Sequence, residues 1–415
     1  DSKDKRNQNI DLMDKQKAIE NTKKYLNVNQ NKYSSPIARS IEADSSIKTT
    51  PNVILVIMES MSASKMKRHG NKNNLTPFLD SLANNALYFE NFYTSGKHTF
   101  NGIFSSLFSF PAIYRKHPMK QIKKYSGISS ALLKNGYSTS YFTTHDSQFD
   151  NVEGFLRAND FENIISQLDY PMNEVKTTLG VPDDYMFRFS IQKIDELHKK
   201  GNPFFATFMT ASDHGPYYIP DYFHPKSDKL KNQIVEYADW SLKKFFELSS
   251  KQKWFDNTIF VFVADHGAPI SSNYEISLSY FHSPFIVYAP KKVLSKRVYK
   301  KIGSQIDIFP TIMGLINQPY INNTLGIDLL RENRKYAVIN NDSKIGILDT
   351  SYFCIMGKER VNLYKYKTND KTDYFKEESE KAEDMTVYAK SIMQTYQEML
   401  LNGEITIKEK GLTDK

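Results

Sequence analysis

Hydrophobic positions along the chain fall into short, unbroken runs. NVILVIM (52–58), STSYFTT (138–144), PFFATFMT (203–210) and TIFVFVA (258–264) are β-branched or aromatic, and longer stretches of helical character separate them between Asn52 and about Leu330. Runs without polar alternation suit strands covered on both faces. Their alternation with helices predicts an α/β fold, a mostly parallel central sheet sandwiched by helices. After about residue 335 the pattern changes to KYAVIN, KIGILDT and VNLYKYK, followed by a charged helical stretch from Glu377 to Leu401. This predicts a small C-terminal α+β subdomain ending in a helix.

The first 50 residues are polar and rich in Lys and Asn, with one amphipathic helix expected around Ile10 to Leu26. They are expected to form a linker or arm. The predicted organisation is therefore an arm over 1–50, a catalytic-type domain over 51–332 and a C-terminal subdomain and helix over 333–415.

Composition changes this picture little. With 415 residues and 40% hydrophobic content the chain can bury a sizeable core. A net charge of +8, from 55 Lys and Arg against 47 Asp and Glu, favours anionic partners. The basic residues are scattered, which fits anionic lipid or phosphate ester and gives no stripe for nucleic acid. One cysteine, Cys354, excludes an internal disulfide and a cysteine-cluster metal site. No run approaches the roughly 20 apolar residues of a membrane helix. A chain that starts at Asp1, without an initiator Met, is expected to continue a longer precursor.

The chemistry lies just past the end of each strand. Glu59 comes after the first run, His145 and Asp146 after the second, Asp213 and His214 after the third, and Asp265 and His266 after the fourth. In a doubly wound sheet, ligands gather outside the carboxyl ends of the strands. Any one of these residues has a bland alternative as a turn, an N-cap or a solvated charge. Together, Glu59, Asp265 and His266 are a hard-to-borderline donor set suited to Mn²⁺, Mg²⁺ or Zn²⁺. In TSGKHTFNGIFSSLFSFPA (94–112), Thr99 falls near a helix start. There free backbone N–H groups would hold a phosphate, although a plain N-cap would give the same pattern.

NVILVIMES, GKHTFNG, SDHGPY and FVADHG, in this order and at these separations, resemble the alkaline phosphatase superfamily. The resemblance is to its sulfatase-like branch of lipoteichoic acid synthases and related phosphoglycerol and phosphoethanolamine transferases. It runs from about Asn52 to Leu330 and includes DSQFDN (146–151), FHSPFIVYAP (281–290) and SQIDIFPTIMGLINQPYINNTLGIDLL (304–330).

The resemblance implies that Glu59, Thr99, Asp265 and His266 bind a catalytic divalent metal, typically manganese, with zinc in the phosphoethanolamine enzymes. It further implies that Thr99 is the nucleophile and that His214 holds the transferred phosphoryl group. Two in-line displacements would follow, through a phosphothreonine carrying the head group. The donor would be a phospholipid, the acceptor a glycan or lipid hydroxyl, and the location extracytoplasmic, beside the membrane.

Lys97 and Asp146 are expected to contact substrate. If FHSPFIVYAP forms an antiparallel edge strand, His282 returns to the same sheet edge, where with His214 it would hold a second zinc or bind phosphate; a hydrogen-bonded structural histidine is the alternative. In the synthases the segment after FTT contributes aromatic and basic side chains to the substrate pocket; here it reads THDSQFDNVEGFLRAND (144–160), with no Trp, so their head-group preference need not carry over. Sulfatases proper use a formylglycine from a Cys/Ser-x-Pro-x-Arg motif, where this chain has HTFNG. Two other classes fit the same residues: a phosphodiesterase or phosphatase of the superfamily, and a non-catalytic surface-binding protein.

Overall fold

The computed structural model describes residues 9–29, 32–47, 50–291 and 296–407. In chain order, α1 (Lys15–Tyr25) and β1 (Arg39–Ile41) precede β2 (Asn52–Met58), α2 (Pro77–Asn84), β3 (Leu87–Tyr93), α3 (Thr99–Phe108) and α4 (Ile128–Lys134). Next come β4 (Ser138–Thr143), α5 (Val152–Ala158), β5 (Asn163–Ile165), α6 (Asp183–Lys199), β6 (Phe204–Met209), α7 (Leu230–Ser249) and β7 (Thr258–Ala264). β8 (Phe285–Tyr288), β9 (Arg297–Ser304), α8 (Ile308–Ile316) and β10 (Tyr320–Asn322) complete the larger part. β11 (Ala337–Asn340), β12 (Ile345–Leu348), β13 (Phe353–Met356), β14 (Val361–Tyr364) and α9 (Ser379–Asn402) follow.

Eight strands form the central sheet in the order β5-β4-β6-β2-β7-β8-β3-β9. All neighbours are parallel except β8, which runs antiparallel to both β7 and β3. The unbroken apolar runs have the predicted cause. Along β2, Val53, Leu55 and Ile57 face a core shared with α3, α4, α8 and α9, while Ile54, Val56 and Met58 face one shared with α2, α6 and α7. A strand buried on both faces has no polar position to offer, so period-2 alternation is lost.

The predicted edge strand differs. FIVY is antiparallel as expected, but it lies between β7 and β3, and β9 is the edge. Phe285, Ile286 and Val287 are fully buried, which an edge would not allow, whereas β9 exposes Lys300 and Lys301. Charged side chains on an edge strand also deter pairing with other chains.

The C-terminal sheet is antiparallel, β11-β12-β13-β14. One face, with Ile339, Leu348 and Phe353, packs on Tyr93, Phe281 and Ile302 of the main body. The other, with Ile345, Ile347 and Cys354, packs with α9. Within the segment expected as an arm, the described part is docked. α1 lies along α9, where the Thr22 and Thr395 hydroxyls meet at 2.9 Å and Gln394 Oε1 accepts from Leu12 N at 2.9 Å. β1 pairs with β10. No described helix is long and apolar enough to cross a membrane.

Candidate metal centre and nucleophile

β2 and β7 are parallel neighbours in which Met58 pairs with Ala264. The next residues, Glu59 and Asp265, therefore leave adjacent strands at the same level. Asp265 N donates to Met58 O at 3.1 Å, and on the other side Glu59 N donates to the Thr210 hydroxyl at 2.9 Å. The chain then kinks at Ser60, whose φ is +53°. That turn lets Ser60 N donate to Asp265 Oδ1 at 2.8 Å and Ser60 Oγ to Glu59 Oε1 at 2.8 Å. His266 N also donates to Asp265 Oδ1, at 2.7 Å.

Donor atoms of Glu59, Asp265 and His266 lie within 4.8 Å of one another, and all three residues are buried. His266 Nδ1 is 2.7 Å from the Gly267 carbonyl, which can only accept, so Nδ1 carries the proton. Nε2 is left with its lone pair, 3.3 Å from Asp265 Oδ2 and 3.7 Å from Glu59 Oε1. Holding one ring nitrogen by a backbone carbonyl is how ligand imidazoles are oriented.

Asp265 Oδ2 is buried without a hydrogen-bond partner. Burial and the neighbouring Asp265 charge push the Glu59 carboxyl well above its ordinary range. Two desolvated carboxylates, an orphaned oxygen and an inward imidazole lone pair are costly to leave together and suit a divalent cation. The residues thus fit the metal that the resemblance implies.

Thr99 is the first residue of α3, with His98 before it as N-cap. Its hydroxyl donates to Glu59 Oε2 at 3.2 Å, which sets it at the rim of the cluster beneath the free N–H groups of a ten-residue helix. Gly102, one turn further on, explains how the helix comes so close. A Cβ there would lie 2.6 Å from Asp265 Cα, Cβ and O, so only glycine lets α3 rest on the Asp265 backbone.

A cleft of about 640 Å³, counting its open mouth, leads to Glu59 and Thr99. Phe100, Ile103, Tyr141, Met209 and Leu179 make much of its wall. His214 and His145 contribute the imidazoles. His214 Nδ1 donates to the Gly215 carbonyl at 2.7 Å, leaving Nε2 for a ligand. His145 is mostly buried and its pKa is lowered, chiefly by desolvation.

The remaining expected contacts fare differently. Lys97 Nζ is 3.1 Å from Asp342 Oδ2 and His98 Nε2 is 3.1 Å from Asp342 Oδ1, so a C-terminal-sheet carboxylate holds both. The Asp146 side chain accepts from Gln148 N at 2.9 Å and does not line the cleft; its neighbour His145 does. His282 and His214 do not meet. His282 Nε2 donates to the Glu90 carbonyl at 2.7 Å, and the ring stacks on Tyr93 and abuts His69. Because β8 is interior, the residue leading into it is enclosed, and the hydrogen-bonded structural histidine is what the geometry shows.

Sequence reasoning names His145 among the strand-end residues without giving it a role, and has no place for Asp342 and Lys65. Lys65 is partly buried, pairs with Asp213, donates to Ser60 O at 2.5 Å, and has its pKa lowered to about 8 by desolvation. His145 had a signal, as the first residue after FTT. Asp342 and Lys65 reach the site only through tertiary packing.

The Sulfatase family model matches residues 51–318. The chain belongs to the Sulfatase family. It is 26% identical over 388 residues to lipoteichoic acid synthase 2 of Bacillus subtilis, covering 85% of this chain and 57% of that one. The chain spans about half the length of the curated relatives it matches. Among solved structures, an alkaline phosphatase superfamily protein from Vibrio parahaemolyticus aligns with TM-score 0.84 at 24% identity, covering 94% of this chain and 97% of that one. The lipoteichoic acid synthase LtaP from Listeria monocytogenes aligns with TM-score 0.73 at 20% identity, covering 92% and 98%. These likenesses bear out the alkaline phosphatase-like fold of this Sulfatase-family chain.

Proposed function

We propose that this chain is the catalytic domain of a metal-dependent transferase that moves a phosphoglycerol or phosphoethanolamine group from a phospholipid to a hydroxyl acceptor. One observation carries the reading: a threonine hydroxyl at a helix start hydrogen-bonds a buried carboxylate that shares an orphaned, metal-ready cluster with Asp265 and His266. A divalent cation held there, with manganese the best match to two carboxylates and an imidazole and zinc or magnesium next, would acidify the Thr99 hydroxyl and offset charge on the phosphodiester oxygens.

Thr99 Oγ attacks phosphorus, the bond from phosphorus to the lipid oxygen breaks, and the diacylglycerol departs with one proton. The head group stays on Thr99 as a phosphodiester. An acceptor hydroxyl then attacks from the vacated side, gives up its proton and restores Thr99. The free N–H groups of α3 cradle the phosphoryl oxygens, and His214 Nε2 meets them, or the departing oxygen, from the opposite wall. The apolar cleft takes the lipid side. A second, polar cleft on the other side of Ser60, lined by Ser64, Lys65, Asn71, Lys72, Lys231 and Asn232, suits a polyol or glycan acceptor. The reading includes an extracytoplasmic site beside a membrane to which the whole protein is anchored.

The test is mass spectrometry of the Thr99 peptide after incubation with phosphatidylglycerol and manganese. A glycerophosphoryl adduct on Thr99 that is absent from Thr99→Ala, together with loss of turnover in that variant, is the expected result. Near-wild-type turnover in Thr99→Ala removes Thr99 from the mechanism. Product analysis with glycan and water as competing acceptors separates transfer from hydrolysis.

A further inference from the structure

Among the described residues, the five most exposed large apolar side chains are Met172 at 89%, Leu168 at 83%, Phe149 at 65%, Ile270 at 59% and Ile122 at 58%. Single exposed apolar residues are ordinary. Four of them, Met172, Leu168, Phe149 and Ile122, lie on the β4–β5 side of the apolar cleft.

Leu168 and Met172 follow β5 and Phe149 follows β4. These strands are parallel, so all three residues lie beyond the carboxyl edge where the cleft opens. Ile270 follows β7, three strands from β4, and lines the second cleft, so it stands apart from the other four. Ile122 lies in the loop after α3, which folds back to this edge: Met119 O accepts from Asn151 Nδ2 at 2.8 Å, and His117 pairs with Asp150 at 3.2 Å.

The segment carrying Leu168 and Met172 is held in place. Tyr170, between them, is buried and donates its hydroxyl to Thr143 O at 2.9 Å. Gln167 N donates to His145 O and Val181 N to Thr144 O, closing the segment over the end of β4. Anchoring the central tyrosine turns both apolar neighbours to solvent.

Charge accompanies these residues. The returning loop RKHPMKQIKK (115–124) carries Arg115, Lys116, Lys120, Lys123 and Lys124 and no acid. Lys124 is matched by Asp160, Lys116 bonds Gln397 and Lys123 bonds Leu400 O. Of the acids nearby, Asp169 is engaged in capping Ser166 N. Glu174 lies on the segment with Met172; beside Phe149, Asp146 is exposed, Asp150 pairs with His117 and Glu153 with Arg157.

We propose that this edge seats on an anionic phospholipid bilayer, with Leu168, Met172, Phe149 and Ile122 entering the acyl boundary and the exposed Arg115 and Lys120 meeting the head groups. The cleft mouth would then open at head-group depth, so a donor lipid reaches Thr99 without leaving the membrane. The proposal builds on the reading of the cleft as a phospholipid head-group site, and its test is independent of turnover. Apolar insertion and cation attraction act together on such a surface, and neither alone gives firm attachment.

The experiment is co-sedimentation of the 415-residue chain with vesicles of phosphatidylglycerol and phosphatidylcholine, beside phosphatidylcholine alone. The wild type binds the anionic vesicles. Leu168→Ser/Met172→Ser lowers the binding constant at least tenfold, as does Arg115→Glu/Lys120→Glu, and hydrolysis of a soluble glycerophosphodiester is unchanged in both. In Leu168→Trp, the added tryptophan emission shifts to the blue with anionic vesicles.

Wild-type vesicle binding by the serine pair, or no blue shift, overturns the proposal and leaves the chemistry at Thr99 standing. If light scattering shows the serine pair breaking a dimer while vesicle binding persists, the surface belongs to a second copy and the bilayer assignment is overturned. If vesicle binding falls as expected but no Thr99 adduct forms, the docking surface stands and the transferase reading falls.

Discussion

The carboxyl side of the sheet holds two clusters built from similar residues and put to different use. At Glu59, Asp265 and His266 the polar atoms converge on a common point and one carboxylate oxygen has no partner. At His69 and His282, rings 4.7 Å apart, both imidazoles are spoken for: His69 Nε2 by the Tyr88 hydroxyl at 2.5 Å and His282 Nε2 by Glu90 O at 2.7 Å. Arg68 lies over the Tyr88 ring, 3.7 Å from its centroid. Buried histidines without a carboxylate beside them stay neutral and structural. Buried carboxylates without enough donors ask for a cation. The two carboxylates and the oxygen left without a donor separate the first cluster from the second.

The largest expected effect breaks the comparison at its acidic side. Asp265→Asn removes a charge and a ligand atom together. Its manganese affinity should fall well beyond the roughly 10–100-fold that loss of an outer-shell partner costs. His282→Asn should leave that affinity within a few fold of wild type. Calorimetric titration of manganese into both variants checks this, and comparable losses would mean that the two clusters are not separate.

Acid should break the other side first. Desolvation lowers the His282 pKa from 6.5 to about 4, and that of His69 to about 3. Because the folded values lie below the unfolded one, the unfolded chain takes up the proton first. The stabilisation is complete above pH 6.5 and is lost as pH falls towards 4. For His282 alone, linkage makes the loss roughly 3 kcal/mol over that window. Urea unfolding between about pH 7 and 4 should show a shallower fall in His282→Phe than in wild type. Parallel curves would place the acid sensitivity elsewhere.

How this division reads from the sequence depends on whether a residue's environment is set locally. Strands β2, β4, β6 and β7 were legible because central parallel strands are apolar throughout, and the residues at their ends were legible with them. LYFENFY was not, since Glu90 and Asn91 interrupt it at an irregularity in the β3–β9 register. β9 was missed because an edge strand keeps its lysines. α9 read as a charged tail, yet it buries Gln394, Gln397 and Glu398 against the N-terminal segment and within itself, through hydrogen bonds that no hydropathy pattern shows. Glu59, Asp265 and His266 were legible as strand-end chemistry. Sequence leaves the two readings of His282 open because its surroundings depend on whether β8 is an edge, which is a matter of topology.

Gly102→Val sharpens the comparison from the nucleophile's side. Its Cβ would meet the Asp265 backbone at 2.6 Å, so α3 must withdraw and carry Thr99 away from Glu59. A displacement of about 1 Å at a reacting group costs on the order of a hundredfold in turnover. Ring stacking around His282 should be untouched, so the acid-unfolding profile keeps its wild-type shape. Turnover within threefold of wild type would show that the helix start can shift without consequence.

The smallest effect is expected one residue from a cleft wall. His145 lines the cleft, while Asp146 turns away and accepts only from Gln148 N at 2.9 Å, an exposed local bond. Such a bond on a solvated loop competes with water at little net gain. Asp146→Ala should therefore cost no more than about 0.5 kcal/mol in stability, as surface substitutions generally do. It should leave kcat and KM for a soluble glycerophosphodiester within twofold of wild type. His145→Ala removes an imidazole that faces the ligand and should raise KM while Asp146→Ala does not. A tenfold rise in KM for Asp146→Ala would mean that the 144–151 loop turns this carboxylate into the cleft when substrate binds, and the division between the two neighbours would fail.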